Sequence, residues 1–241
     1  MDIVLYDKPM HIELIGYNLF VNGNQHPKSV RTVSQMAKTL MRSIQLDELE
    51  NFDMYYMYRN VYKEAGMRFD ITVMPSKPVG DECSKTHGHY HPKSEDGLAY
   101  PELYQVLHGR AEFILQKKNK NGSVDAALVS AKEREVVLLP PGYGHVSVNS
   151  GDDVLVLSNL VYDRFDSLYQ DYETNRGAAY YYLKEGEIVQ NTSYIVERNE
   201  RVTAKEFNIR YKFECKDILS EAHIEPGKFA FLQKPSLLFK A

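Results

Sequence analysis

Residues 86–109 constrain the fold more than any other stretch, because they hold four of the chain's eight histidines in the order THGHYHPKSEDGLAYPELYQVLHG. His89 and His91 stand one residue apart. Successive side chains on a β-strand point to opposite faces, so an HxH pair on a strand aims two imidazoles at one point. Imidazole binds zinc, iron, nickel and copper, and a neighbouring carboxylate favours a divalent first-row ion. The pattern predicts a metal site.

Three carboxylates downstream compete to complete this site. Glu95 and Asp96 lie in a polar loop, whereas Glu102 directly precedes residues 103–107, an apolar and aromatic run that predicts a strand ending at Gly109. A metal ligand needs rigid support, so we assign Glu102.

A second stretch, LPPGYGHVSVN at residues 139–149, supplies a further imidazole. Its Pro-Pro-Gly cluster predicts a tight turn. His145 then opens an alternating strand, in which Ser147 and Asn149 share its face. The two stretches therefore present three histidines and one glutamate from separate strands.

Together the two stretches resemble the signature motifs of the cupin β-barrel. The first motif reads HxH, a later Glu, six residues and Gly, and the second reads PxGxxHxxxN. The matching residues are His89, His91, Glu102 and Gly109, then Pro140, Gly142, His145 and Asn149. Within cupins, THGHYHP with YPELY resembles the archaeal-type glucose-6-phosphate isomerases, whose typical phrase is TxGHxH followed by a loop and Glu-x-Tyr. The interval from His91 to Glu102 is longer than in that pattern, as a loop insertion would make it, and Arg134 stands where the second motif usually has Gly.

The remaining pattern favours an all-β fold. Residues 53–63 and 68–74 flank Ala65-Gly66 and predict a hairpin, whose second strand alternates an apolar core face with a polar face available to a cavity. Further strands are predicted at residues 103–117, 126–130, 136–139, 145–148 and 154–161, and a hairpin at residues 178–183 and 187–190. Many short strands with turns between them predict a sandwich or barrel. The resemblance implies a cupin, a double-stranded β-helix or jelly-roll barrel with a few peripheral helices.

The two ends of the chain are less regular. Apolar residues recur at helical spacing over residues 30–44, which predicts an amphipathic helix on the outside of the barrel. The phrase KSVRTVSQM at residues 28–36 also resembles a segment ahead of the barrel in the archaeal-type isomerases. We expect one domain over residues 1–190, with the barrel core at about 53–190, and a C-terminal extension over residues 191–241 without an assigned role. That extension includes a strand-like segment at residues 207–213.

Composition excludes several function classes. The 241 residues carry a net charge of −4, which gives no basic footprint for nucleic acid. No apolar run approaches the ~20 residues of a membrane span, so we expect a cytoplasmic protein with no membrane contact. Cys83 and Cys215 lie far apart in sequence and are expected to be buried thiols rather than a disulfide.

The resemblance also implies roles for individual residues. The metal ligands would be His89, His91, Glu102 and His145. The catalytic residues would be Glu102, Tyr104 and Tyr162. The substrate-binding residues would be Thr72, Gly80, Thr86, Gly88 and Tyr172. His87 is expected to lie behind the ligands or at the surface, and His108 to be exposed. Lys85 and Lys93 are expected to be solvated loop lysines.

The resemblance implies a metal-dependent isomerase that interconverts glucose 6-phosphate and fructose 6-phosphate. One divalent ion per subunit is expected, with Fe²⁺ favoured and Mn²⁺, Ni²⁺, Co²⁺ or Zn²⁺ possible, since imidazole with carboxylate accommodates all of them. The partners would be the sugar phosphate and a second copy of the chain in a homodimer. Three alternatives stay open: an isomerase of mannose 6-phosphate or another sugar phosphate, a cupin dioxygenase, and a non-enzymatic sugar-binding or storage cupin.

Overall fold

The computed structural model describes residues 2–41 and 50–239. The strands are Asp2–Tyr6 (β1), Ile12–Ile15 (β2), Asn18–Val21 (β3), Asn24–Gln25 (β4), Ser29–Thr32 (β5), Asp53–Glu64 (β6), Met67–Met74 (β7), Glu102–His108 (β8), Arg110–Lys118 (β9), Val124–Lys132 (β10), Val136–Leu139 (β11), Tyr143–Asn149 (β12), Leu155–Tyr162 (β13), Tyr180–Tyr182 (β14), Ile188–Gln190 (β15) and Val196–Thr203 (β16). The α-helices are Val33–Met36 (α1), Gln170–Thr174 (α2), Ala204–Ile209 (α3) and Ile218–Ile224 (α4). The 3₁₀ segments are Ala37–Thr39, Pro226–Leu232 and Pro235–Phe239.

Two sheets build the barrel. One has the order β11-β8-β13-β7-β6-β5 and the other the order β12-β9-β10-β16. Val106 and Leu157 of the first sheet share a buried cluster with Phe113 and Val129 of the second, so the two sheets pack face to face. The predicted all-β cupin barrel is confirmed.

The β6–β7 hairpin has the two faces that its alternation predicts. Phe69 and Ile71 point out of the barrel into a second cluster, which also contains Ile12 and Leu14 of β2. The sheet β1-β2-β3-β4 therefore covers the outside of the larger barrel sheet. The alternate residues of β7 point inward and line a pocket.

Residues 103–117 form two strands rather than one continuous strand. The break is at Gly109, which has φ +86° and therefore favours glycine. A Cβ there would lie 2.9 Å from the Val154 carbonyl oxygen. The predicted end of the first strand at Gly109 is therefore confirmed, whereas the single span over residues 103–117 was wrong, because the close approach of Val154 requires this turn.

The predicted helix over residues 30–44 was wrong in most of its length. Residues Ser29–Thr32 pair with β6, and α1 is only four residues long. A capping box between Thr32 and Gln35 begins the helix at Val33, and the chain turns into a 3₁₀ segment at Ala37. Residues 42–44 of the prediction lie outside the described residues.

The C-terminal part joins the smaller sheet and the second cluster, which we call the outer cluster. Strand β16 extends the smaller sheet through parallel pairing with β10. The predicted strand at residues 207–213 was wrong, because Thr203 and Glu206 form a capping box that starts α3. Ile218 and Phe229 of the following segments are fully buried in the outer cluster. Among the described residues, no helix is long and apolar enough to cross a membrane.

Candidate metal centre

The four predicted ligands meet at one point. One ligand atom from each of His89, His91, Glu102 and His145 lies within 4.8 Å of the others. The Nε2 atoms of His89 and His91 are 3.1 Å apart. Glu102 Oε2 lies 3.3 Å from His91 Nε2 and 3.4 Å from His145 Nε2.

These spacings fit a bound divalent ion. Ligands about 2.1 Å from a metal at neighbouring octahedral or tetrahedral positions lie about 3.0–3.4 Å apart. Glu102 Oε2 is buried and has no hydrogen-bond donor among the described residues. A buried carboxylate oxygen without a donor is costly, and a cation would satisfy it. The donor set and its geometry therefore support a divalent metal site, and they do not identify the metal.

Each ligand comes from a rigid part of the barrel. Glu102 opens β8, where its partner is Leu139, and His145 lies within β12. The HxH pair is not on a regular strand, so that part of the prediction was wrong. His89 instead forms an isolated bridge with His145, with N–O distances of 3.3 and 3.1 Å, and the extended backbone there preserves the shared face of the two imidazoles.

Hydrogen bonds behind the ligands fix their orientation. His91 Nδ1 lies 2.9 Å from the carbonyl oxygen of Tyr100, which leaves Nε2 for the metal. Asn159 donates to Glu102 Oε1 at 2.7 Å, which leaves Oε2 free. Partners of this kind hold ligand geometry in metal sites. Sequence reasoning missed Asn159, because only the pairing of β13 with β8 brings it to the carboxylate.

Burial sets the protonation of the centre. It lowers the pKa of His89 and His145 well below the ordinary value, and for His89 the neighbouring His145 and His91 act in the same direction. Both imidazoles are therefore neutral at physiological pH, as metal binding requires. Burial, followed by the Glu102 charge, raises the pKa of Tyr104 well above its ordinary value. The Tyr104 hydroxyl, 3.3 Å from His145 Nε2, therefore stays protonated and can donate.

The predicted substrate-binding residues divide into two groups. Thr72, Thr86 and Gly88 line the pocket, together with Tyr104 and the cluster residues His89, His91 and Glu102. Gly80 lies in an exposed turn outside the pocket lining. Tyr162 is half-buried against Tyr100, with ring centroids 5.0 Å apart, and is also outside the lining.

Tyr172 is fully buried and packs behind residues 88–91, the metal segment. Its ring lies 5.4 Å from that of Tyr90, in a cluster separate from the pocket. A Cβ on Gly88 would come within 2.5 Å of Tyr172 and 2.6 Å of Val146. The structure therefore places Tyr172 as a packing residue beneath Gly88 and not at the pocket surface.

Several pocket residues were not predicted from sequence. Arg31, Arg59 and Arg68 all line it, and only Arg68 had a signal, the cavity-facing alternation of β7. His87 also lines it, with Nε2 3.3 Å from Glu173 Oε1. The expectation that Lys85 is solvated was wrong, since it is buried in an ion pair with Glu82 at 2.6 Å.

Two smaller expectations have mixed outcomes. Cys83 is buried and Cys215 is half-buried, and both are free thiols, as expected for chain positions far apart. His108 is half-buried rather than exposed, with Nε2 3.2 Å from Asp153.

Comparison with known proteins now identifies the family. The model of the glucose-6-phosphate isomerase family matches residues 30–198, which is more than half of the chain. The chain belongs to the glucose-6-phosphate isomerase family. Its relatives include the glucose-6-phosphate isomerase of Pyrococcus furiosus, which is 29% identical over 157 residues, covering 63% of this chain and 78% of that protein. The putative glucose-6-phosphate isomerase 1 of Rhizobium meliloti is 36% identical over 100 residues, covering 42% and 43%.

Two solved structures align with about half of the chain at low identity. Oxalate decarboxylase of Lactobacillus farciminis aligns with a TM-score of 0.36 and 19% identity over 48% of this chain and 31% of that one. The Cnp3 cupin domain of Schizosaccharomyces pombe aligns with a TM-score of 0.30 and 14% identity over 48% and 69%.

Proposed function

We propose that this member of the glucose-6-phosphate isomerase family interconverts glucose 6-phosphate and fructose 6-phosphate with one divalent ion held by His89, His91, Glu102 and His145. The observation that carries the proposal is the convergence of three imidazole Nε2 atoms and Glu102 Oε2 beside a pocket that His89, His91 and Glu102 line. When bound, the ion supplies Lewis-acid stabilisation for charge that develops on O1 or O2 of the sugar.

Glu102 is the best-placed base for moving the proton from C2 to C1. The other carboxylate that lines the pocket, Asp70, accepts from Arg68 Nε at 2.8 Å and from the Asn60 amide at 2.8 Å. Glu102 Oε2 has no such donor among the described residues. In an enediol route Glu102 would swing partly off the metal, take the proton from C2 and return it to C1.

Tyr104 completes the proton transfer in this proposal. Its hydroxyl is protonated at neutral pH and lies beside the ligand cluster, so it can donate to a sugar oxygen while Glu102 acts at carbon. Phe165 and Tyr169 wall the pocket over the histidines, with ring centroids 4.6 Å from His91 and 5.4 Å from His89. These rings give the pocket an apolar wall beside the histidines.

Isotope transfer distinguishes the two possible routes. The enediol route predicts that part of the fructose 6-phosphate formed from [2-²H]glucose 6-phosphate carries a solvent proton at C1, because Glu102 can exchange the deuteron taken from C2 before it protonates C1. Complete retention of the deuteron at C1 would indicate a hydride shift and remove Glu102 as the base, while leaving the isomerase activity itself in place.

The finer parts of the proposal have separate tests. Fe²⁺ is the favoured ion, the chain is proposed to act as a homodimer in the cytoplasm, and Tyr162 is kept as an assisting residue. Metal analysis of protein purified without oxygen tests the identity of the ion. Sedimentation of the same protein tests the homodimer. Faster turnover of mannose 6-phosphate than of glucose 6-phosphate would assign a different sugar. Oxygen consumption would assign dioxygenase chemistry instead.

A further inference from the structure

Three arginines on neighbouring strands form a cationic wall in the pocket. Arg31 lies on β5, Arg59 on β6 and Arg68 on β7, and all three line the same pocket as the histidine cluster. The sheet order β8-β13-β7-β6-β5 places β5 and β6 at the opposite side of the pocket from Glu102 on β8. The pocket therefore has a metal end and a guanidinium end.

The charges at the guanidinium end are only partly compensated. Arg68 is paired with Asp70, with Nε and Oδ2 2.8 Å apart. Neither Arg31 nor Arg59 has an ion pair with any described residue, and Nη2 of Arg59 rests 3.8 Å from Met57 Sδ. Two guanidinium charges are thus available to a ligand.

Arg31 also has an unsatisfied donor. Its Nε is buried and has no hydrogen-bond partner among the described residues. Its Cα partner across the β5–β6 pair is Tyr55, whose hydroxyl accepts from the His87 amide at 3.3 Å. A charged donor without an acceptor is unfavourable, and an anionic ligand would supply the acceptor.

We propose that Arg31 and Arg59 bind the phosphate group of the substrate, which makes this chain selective for phosphorylated sugars. The inference rests on the proposed function, because the isomerised carbons would lie at the metal end and the phosphate at the other. Two guanidinium charges match a phosphate dianion, and arginine donates two hydrogen bonds to phosphate oxygens in a fixed geometry. The Thr72 and Thr86 hydroxyls, which line the same pocket, add neutral donors.

Binding of a substrate analogue that cannot react tests this inference apart from turnover. Glucitol 6-phosphate has no carbonyl, so its affinity for the metal-loaded protein, measured by calorimetry, reports on binding without turnover, and comparison with glucitol isolates the contribution of the phosphate. We expect R31Q to weaken it about 10- to 100-fold, as loss of a charge-assisted contact predicts. R59Q is expected to weaken it less, because Arg59 is exposed. R31K should lie between wild type and R31Q, and glucitol without phosphate should bind all variants equally.

Arg198 provides the matched control. It is exposed, pairs with Asp125 at 3.1 Å and lies outside the pocket, so R198Q should bind glucitol 6-phosphate like wild type. Metal content and the melting temperature show whether each variant is folded, and R31K keeps the test valid if R31Q is not.

The outcomes separate this inference from the isomerase proposal. Wild-type affinity for glucitol 6-phosphate in the R31Q/R59Q variant, or equal losses for glucitol and its phosphate, would overturn the phosphate assignment even if the wild type isomerises sugars. Failure of the wild type to bind glucitol 6-phosphate would overturn it as well. Arginine-dependent binding without turnover would support the phosphate site and contradict the proposed isomerase activity.

Discussion

Glu102 and Glu95 give the sharpest contrast between a buried ligand and a surface carboxylate. Glu102 is buried among the histidines of the centre. Glu95 is exposed in the loop between His91 and Glu102. E102Q should lose most of its bound metal on dialysis, because an amide replaces the anionic ligand of a divalent ion. E95Q should retain it. Metal analysis of both variants checks this, and equal metal content would remove Glu102 from the ligand set.

His87 should make the apoprotein sensitive to acid. Burial, assisted by the Arg31 charge and opposed by Glu173, lowers the pKa of His87 from 6.5 to about 4. Between those values the unfolded chain binds more protons at this residue than the folded one, so the free energy of unfolding falls as the pH falls from 6.5 towards 4. A shift of this size corresponds to a loss of up to about 3 kcal/mol.

The H87N variant isolates this contribution. Urea unfolding of chelated wild type and H87N at pH 7 and pH 4.5 should show a smaller loss of stability for H87N. Parallel losses in the two proteins would contradict the assignment, because the other buried histidines are common to both.

The positions of some site residues could be predicted from the sequence, and those of others could not. The ligands His89 and His91 were predictable, because a spacing of two residues places both imidazoles on one side of an extended chain. Arg31 and Arg59 were not, because their separate strands become neighbours only through long-range pairing. Tyr172 was predicted as a substrate contact from its position after the barrel, and in the structure it packs beneath the metal segment.

At the scale of elements, the metal segment depends on a glycine that packing and backbone geometry both require. Gly88 has φ +84° and no room for a Cβ, whereas Gly97 has φ +81° and no neighbouring atom within 4 Å of the position that a Cβ would take. G97A should cost about 1 kcal/mol from backbone strain alone. G88A should cost more and weaken metal binding, because Tyr172 and Val146 must move.

Thermal melting and metal titration of the two variants measure these effects. Equal changes in melting temperature, with metal affinity retained in G88A, would show that the segment accommodates a side chain there.

Strands were predicted better than helices for a physical reason. The β6–β7 hairpin is specified locally by alternation and by the Ala65-Gly66 turn, where both residues have positive φ. Short helices such as α1 and α3 begin at capping boxes. The spacing of apolar residues alone does not reveal these helix starts. The apolar residues of α3 resemble a strand until Thr203 and Glu206 are recognised as its start.

At the scale of the whole molecule, the C-terminal segment belongs to the outer cluster, which covers the larger barrel sheet from outside. Phe229 is fully buried in the outer cluster, and Phe239 is exposed at 57%. F229A should lower the free energy of unfolding by about 3–5 kcal/mol, because it leaves a cavity. F239A should change it by less than about 0.5 kcal/mol. Urea unfolding compares the two, and a small effect of F229A would show that the segment is not part of the cooperative unit.

The overall architecture was predictable through the two motifs, but the placement of the tail was not. The motifs fix where β8 and β12 must meet, and the barrel follows from bringing Glu102 to His145. Nothing local in residues 196–203 indicates that they pair in parallel with β10. Such pairing is set by the packing of the finished barrel.

The central claim is that a divalent ion at the four-residue centre supports sugar-phosphate isomerisation. The most direct measurement is the rate at which purified protein converts fructose 6-phosphate to glucose 6-phosphate, before and after chelation and with Fe²⁺, Mn²⁺, Ni²⁺, Co²⁺ or Zn²⁺ added back. We predict that chelation abolishes turnover and that one equivalent of ion per chain restores it. Undiminished turnover in the fully chelated protein, or stoichiometric metal binding without any turnover, would contradict the claim.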